Sequence, residues 1–191
     1  MPKDTFYNLH SEKKERVVKV LKKVFEEKPF QEVTVKEIVE ELDIARGSFY
    51  QYFEDLEDAY FEILKRELVD IHGLLTTIME KHPAHLEAAL MEYGDELSKI
   101  LFKSETYLIY RNSYLFWNES LAQRWARVHN DHAQALFDND EKALEREKIH
   151  YLKGVVHMLI KRNYQENWTK EEFQLKYQQH VCWMMKGLYE W

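Results

Sequence analysis

Residues 34–53 read Thr34-Val35-Lys36-Glu37-Ile38-Val39-Glu40-Glu41-Leu42-Asp43-Ile44-Ala45-Arg46-Gly47-Ser48-Phe49-Tyr50-Gln51-Tyr52-Phe53. Thr34 followed three residues later by Glu37 is a capping box. The hydroxyl accepts from the N3 amide, and the carboxylate reaches back to the N-cap amide. The helix opened in this way sets Val35, Ile38, Val39 and Leu42 on one face. Asp43-Ile44-Ala45 leaves room only for a tight turn, and a second short helix follows with Phe49 and Phe53 as apolar anchors. Two short helices joined so tightly predict a helix-turn-helix, which lays its second helix in the major groove of DNA.

The side away from Phe49 and Phe53 is assigned Arg46, Gly47, Ser48, Tyr50, Gln51 and Tyr52. Arg46 has the paired donors for guanine O6 and N7, and Gln51 has the donor and acceptor that suit adenine or a phosphate. Ser48, Tyr50 and Tyr52 can donate to phosphate oxygens, and Gly47 lets another backbone approach closely. At the first helix's N-terminus, Thr34 and Lys36 offer free amides and a positive dipole end to a further phosphate.

Working outward, Val17, Val18, Leu21, Val24 and Phe25 recur on one helical face, and Pro29 ends that helix because proline disfavours helical geometry in the residue before it. Asp55 can cap a long helix whose apolar positions run from Leu56 through Ile63, Leu68, Ile71 and Leu75 to Ile78, with His82-Pro83 closing it. Further helices are predicted near 84–103, over Thr106–Trp117, from Asn118 to about Phe137, and from Asp140 onward. Thr169 and Glu172 repeat the capping-box spacing before the last one. The fold class expected is therefore all-α: an N-terminal three-helix helix-turn-helix module, residues 1–54, and a larger C-terminal helical domain, residues 55–191.

Composition narrows the function. Five glycines and three prolines in 191 residues, without Asn-Gly or Asp-Gly hairpin signals, exclude sandwiches and barrels. Cys182 stands alone, so neither an internal disulfide nor a cysteine-ligated zinc site is expected. No apolar run reaches the roughly 20 residues of a membrane span, and the N-terminus lacks a signal-peptide core. The expectation is a cytoplasmic protein with no membrane partner. The net charge is −7, and residues 1–50 hold ten basic and ten acidic side chains. That balance opposes DNA binding, whose affinity rests on phosphate neutralisation. Distribution answers it: Lys13, Lys14, Arg16, Lys19, Lys22 and Lys23 crowd the first helix.

The run Phe25 to Phe30, then Thr34 to Val39, then Ile44 to Phe53, resembles the TetR family of bacterial transcriptional regulators. The likeness is specific over roughly residues 13–64 and architectural beyond. It implies that Thr34, Arg46, Gly47, Tyr50, Gln51 and Tyr52 touch an operator. Pro29 and Asp43 stand where the family usually has glycine, Ala45 replaces a Ser/Thr cap, and Leu56 replaces a lysine that usually meets phosphate. The resemblance further implies a repressor that binds a pseudo-palindromic operator as a homodimer and is released by a small-molecule effector.

It also implies an effector pocket among the central helices. Phe102, Tyr107, Tyr110, Tyr114, Trp117 and Trp125 supply an aromatic lining suited to a planar or lipophilic ligand; a packed aromatic core is the other reading. For the interface between subunits the expectation is an apolar stripe of Val155, Val156, Leu159, Tyr177, Val181, Met184 and Leu188, which would otherwise be intramolecular core. His129 with His132, and Glu147 with His150, are the metal-like spacings. One Glu-x-x-His unit falls short of a di-iron bundle, and no nucleophile finds a base. No metal, cofactor or enzymatic activity is expected. The alternative kept is a helical ligand-binding or protein-interaction protein that has lost its operator.

Overall fold

The computed structural model describes residues 1–129 and 140–189, with the side chains of 129, 140–146, 188 and 189 outside the description. Every regular element among these residues is helical: α1 (Asp4–Tyr7), α2 (Ser11–Glu27), a 3₁₀ turn (Phe30–Glu32), α3 (Val35–Leu42), α4 (Arg46–Tyr52), α5 (Leu56–Glu67), α6 (Ile71–Lys81), α7 (Leu86–Leu101), α8 (Tyr107–Phe116), α9 (Glu119–His129), α10 (Asp140–Glu166) and α11 (Lys170–Tyr189). The all-α expectation holds. The chain divides into two compact units, Met1–Leu68 with Leu108–Leu136, and Val69–Tyr107 with Phe137–Trp191. The expected boundary lies at residue 54/55; in this division α5, α9 and all of α8 but Tyr107 group with the helix-turn-helix.

In the first unit α2 buries Val17, Leu21, Val24 and Phe25. The capping box at Thr34 is formed in both directions, Thr34 N donating to Glu37 Oε1 at 2.7 Å and Glu37 N to Thr34 Oγ1 at 3.4 Å. α3 ends on Asp43 at φ 52°, ψ 52°. Asp43 N donates to Glu40 O and Ile44 N to Val39 O, 3.2 and 3.1 Å. This is a Schellman ending, which needs a left-handed residue and usually takes glycine. Aspartate tolerates that geometry better than most side chains, so the missing turn glycine leaves the turn intact. Ala45 precedes α4 without a side-chain cap bond.

α1 escaped the sequence reading, since four residues carry no periodicity. It closes the end of α4. Lys3 N donates to Tyr52 O at 2.8 Å, Lys3 Nζ to Tyr50 O at 2.8 Å, and Thr5 Oγ1 to Gln51 O. Carbonyls at a helix C-terminus lack intrahelical donors, and these contacts supply them. Phe6, fully buried, sets its ring 4.9 Å from that of Phe53.

The long helix expected over 56–78 is two. α5 stops at Glu67, and Asp70 caps α6 by accepting from His72 N and Gly73 N, both at 3.1 Å. A Cβ on Gly73 would lie 2.6 Å from Asp70 Oδ2, so the glycine makes room for the cap. The apolar period continues across the break because both helices bury one face: Ile63 and Leu64 on α5, Ile71, Leu75 and Ile78 on α6.

In the second unit α6, α7, α10 and α11 bury Leu90, Tyr93, Leu97, Leu159, Ile160, Phe173 and Tyr177. Gly94 admits the Tyr177 ring; an added Cβ would sit 2.3 Å from it, and the Tyr177 hydroxyl donates to Leu90 O at 3.0 Å. The capping box expected at Thr169 forms, with Thr169 N to Glu172 Oε2 at 2.8 Å and Glu172 N to Thr169 Oγ1 at 3.2 Å. Leu144 and the break at 138–139 lie outside the described side chains and residues.

Candidate nucleic-acid interface

α4 has one buried and one open side. Phe49 and Phe53 are anchored, 5.3 Å between ring centroids, while Arg46, Gly47, Tyr50 and Gln51 are exposed and Ser48 is half-buried. Arg46 lies over the Tyr50 ring, 5.9 Å to its centroid, with Nη2 3.4 Å from the Tyr50 hydroxyl. One turn separates the pair, so arginine and phenol share the outward face. Thr34 and Lys36 are exposed at the start of α3.

Gly47 has no internal reason to be glycine. A Cβ there meets nothing within 4 Å, and its φ is not positive. Glycine in a helix costs roughly 0.8–1.0 kcal/mol relative to alanine. The position gives up stability and gains an open backbone beside Arg46.

Tyr52 is a correction. Its hydroxyl assigns it to the polar side, yet it is 5% exposed. Residue 52 is three beyond Phe49, and that spacing returns it to the anchored face. Its ring packs edge-on to Phe53 with Lys13 Nζ 5.8 Å from its centroid.

The basic cluster on α2 is largely spent inside the unit. Lys22 pairs with Glu67 at 2.6 Å and Lys23 with Glu41 at 2.8 Å. Arg16 Nη2 donates to Leu42 O at 2.8 Å, and Lys14 stands over the Phe6 and Tyr7 rings. The count of charges on the first helix thus overstates what phosphates would meet.

Two side chains that no local motif marks tie α8 and α9 to this module. Asn112 Nδ2, on α8, donates to Phe25 O and Glu26 O, each at 3.0 Å, at the end of α2. Arg124, on α9, reaches Asp55 Oδ2 at 2.6 Å, Glu57 Oε2 at 2.9 Å and Asp58 Oδ1 at 3.4 Å, at the start of α5. Asp58 is 1% exposed. Burial works to raise its pKa, but hydrogen bonds from the Met1 amino group and Glu54 N–H, with the Arg124 charge, outweigh it and hold the carboxyl below its ordinary range.

The six aromatic residues expected around an effector do not fall in one unit. Phe102 and Tyr107 belong to the second; Tyr110, Tyr114, Trp117 and Trp125 belong to the first. Tyr110 is buried, and Trp117 and Trp125 pack on Phe61, centroids 6.3 and 5.1 Å away. None of the six lines the open groove of ≈ 480 Å³ in the second unit, which Leu86, Met91 and Met185 help form.

Most of the stripe expected at a subunit interface is buried within the chain itself. Val156, Leu159, Tyr177, Val181 and Met184 are at most 4% exposed within this single chain. Val155 is half-buried, and Leu188 lies outside the described side chains. Val156, Leu159, Tyr177, Val181 and Met184 belong to the core of the second unit. The opposite faces carry Tyr151, 52% exposed, and Met158, 38%, on α10, and Leu175, 58%, and Trp183, 62%, on α11.

No described helix is long and apolar enough to cross a membrane. Residues 17–62 match the family described as bacterial regulatory proteins, tetR family, and residues 86–187 match tetracyclin repressor, C-terminal domain. An uncharacterized HTH-type transcriptional regulator of Bacillus subtilis (strain 168), YfiR, is 30% identical over 91 residues. That stretch is 47% of this chain and 43% of the relative, so the match spans less than half of either. A TetR family transcriptional regulator from Chloroflexus aurantiacus J-10-FL shares the fold with TM-score 0.54 at 20% identity, covering 98% of both chains. A transcriptional regulator (TerR/AcrR family) from Aquifex aeolicus VF5 does so with TM-score 0.53 at 20% identity, over 90% of this chain and 99% of the other. With the DNA-binding helix-turn-helix at α3–α4 and a C-terminal helical domain matched over more than half of its length, the chain belongs to the TetR family of transcriptional regulators.

Proposed function

We propose that the chain is a repressor that binds a pseudo-palindromic operator as a homodimer and leaves it when a small molecule binds. The outward face of α4 carries this reading. Arg46 and Gln51 read base edges there, Tyr50 and Ser48 meet phosphates, and Gly47 lets the backbone come close. Thr34 and Lys36 hold a neighbouring phosphate at the start of α3. One such helix holds DNA weakly. Two, about 34–36 Å apart, read successive major grooves.

The two-fold mate packs on the outward sides of α10 and α11, through Tyr151, Met158 and Trp183. All three are large apolar or aromatic side chains left exposed, and a contiguous patch of such side chains marks a protein contact. Effector binding acts on DNA through α8 and α9. Asn112 and Arg124 hold the end of α2 and the start of α5, on either side of the helix-turn-helix. A ligand that favours a different position of α8 or α9 shifts the population away from operator spacing. The effector is planar or lipophilic, as the aromatic content of the central helices suggests.

Selection from random duplex DNA tests the reading. It should return a site with two-fold symmetry and half-sites one helical turn apart. Recovery of no symmetric site would favour a ligand-binding protein that has lost its operator.

A further inference from the structure

The second unit holds a histidine pair that no sequence motif announces, because 85 residues separate its members. His72 stands on the first turn of α6 and His157 on the middle of α10, with their Nε2 atoms 3.2 Å apart. The ring planes differ by 12° and the centroids lie 5.0 Å apart, so the rings diverge from two adjacent nitrogen tips. Two nitrogens bound at about 2.0–2.1 Å to one tetrahedral ion stand about 3.3 Å from each other. The geometry points to a two-histidine site for a divalent first-row transition ion, Zn²⁺, Ni²⁺ or Cu²⁺, that clamps α6 to α10.

The chemistry of the pair suits such an ion. A histidine ligates only when neutral. His157 is exposed and His72 half-buried, which gives an ion a way in. Imidazole is a preferred ligand for zinc, copper and nickel. Among the described residues no third His, Cys, Asp or Glu joins the pair into a group of three. Lys153 acts against the cation and Asp70, whose charge His72 feels, acts for it. The inference rests on the second unit alone and stands or falls apart from the DNA reading.

Tag-free, metal-stripped full-length protein titrated with NiCl₂ or ZnSO₄ in a calorimeter should take up one ion per chain. His72→Gln and His157→Gln, which keep a hydrogen-bonding side chain but lose the ligand, should each weaken it about tenfold or more. His85→Gln, elsewhere in the unit, should leave it unchanged. Loading with Cu²⁺ should give an electron paramagnetic resonance spectrum split by two imidazole nitrogens, a readout on the wild-type chain that needs no folded variant. Absence of uptake by the wild type, uptake as tight in both variants, or coupling to fewer than two nitrogens would overturn the assignment in favour of a hydrogen bond between two neutral rings.

Discussion

Arg124→Gln is the most informative perturbation of the first unit. The guanidinium lies within 3.4 Å of three carboxylates at the start of α5, and one of them, Asp58, is 1% exposed. Its loss leaves Asp55, Glu57 and Asp58 facing one another. Breaking a buried pair costs about 3–5 kcal/mol, whereas an exposed pair contributes about 0–1 kcal/mol. Arg124 is 31% exposed, so the cost falls between, at about 1–3 kcal/mol. For a chain of this length that lowers Tm by about 2–12 °C.

The sign with pH follows from Asp58. Its folded pKa is held below the unfolded value, so it binds more protons when unfolded. Its stabilisation is therefore present above the unfolded value of about 3.9 and disappears as pH falls through the folded pKa. The gap between wild type and variant should be full at pH 7 and narrow under acid. Thermal unfolding at both pH values, with Asp58→Asn and the double variant closing a cycle, measures it. A cycle whose effects simply add, or a gap that does not depend on pH, would refute the clamp.

Other consequences are separable. Gly47→Ala should raise Tm slightly, by up to about 1 kcal/mol of added stability, while weakening operator binding; unfolding scans and anisotropy titrations read the two effects independently. Trp183→Asp should give a helical monomer in sedimentation, whereas Val181→Asp, aimed into a core position 1% exposed, should lose the fold by circular dichroism. Gly94→Ala should cost about 1–3 kcal/mol in denaturant unfolding because its methyl group displaces the Tyr177 ring. Asp43→Gly should be neutral or stabilising by up to about 1 kcal/mol, since the left-handed residue then carries no Cβ.

What the sequence disclosed was local. Both capping boxes, at Thr34 and Thr169, depend on residues three apart and were readable directly. The helix-turn-helix was readable for the same reason. The break at Leu68–Asp70 was signalled by Asp70 and Gly73, but an uninterrupted apolar period masked it, because two successive helices each bury a face. Tyr52 is ambiguous by its chemistry: a hydroxyl suggests an outward side chain where helical spacing from Phe49 demands an inward one. Apolar content alone does not distinguish a core from an interface, so the sequence does not separate buried Val181 and Met184 from exposed Trp183. Asn112, Arg124 and the His72–His157 pair depend on partners from 66 to 87 residues away, a distance at which a single sequence carries no pattern.

The central claim is that Arg46 reads a base pair in each half of a symmetric site. Anisotropy titrations at one fixed salt concentration, using the selected duplex and a set of single base-pair changes, test it most directly. Arg46→Ala should bind more weakly by about 1–3 kcal/mol per contact and lose discrimination at one position in each half-site. An unchanged affinity, or an equal loss across all sequences with discrimination intact, would contradict the account.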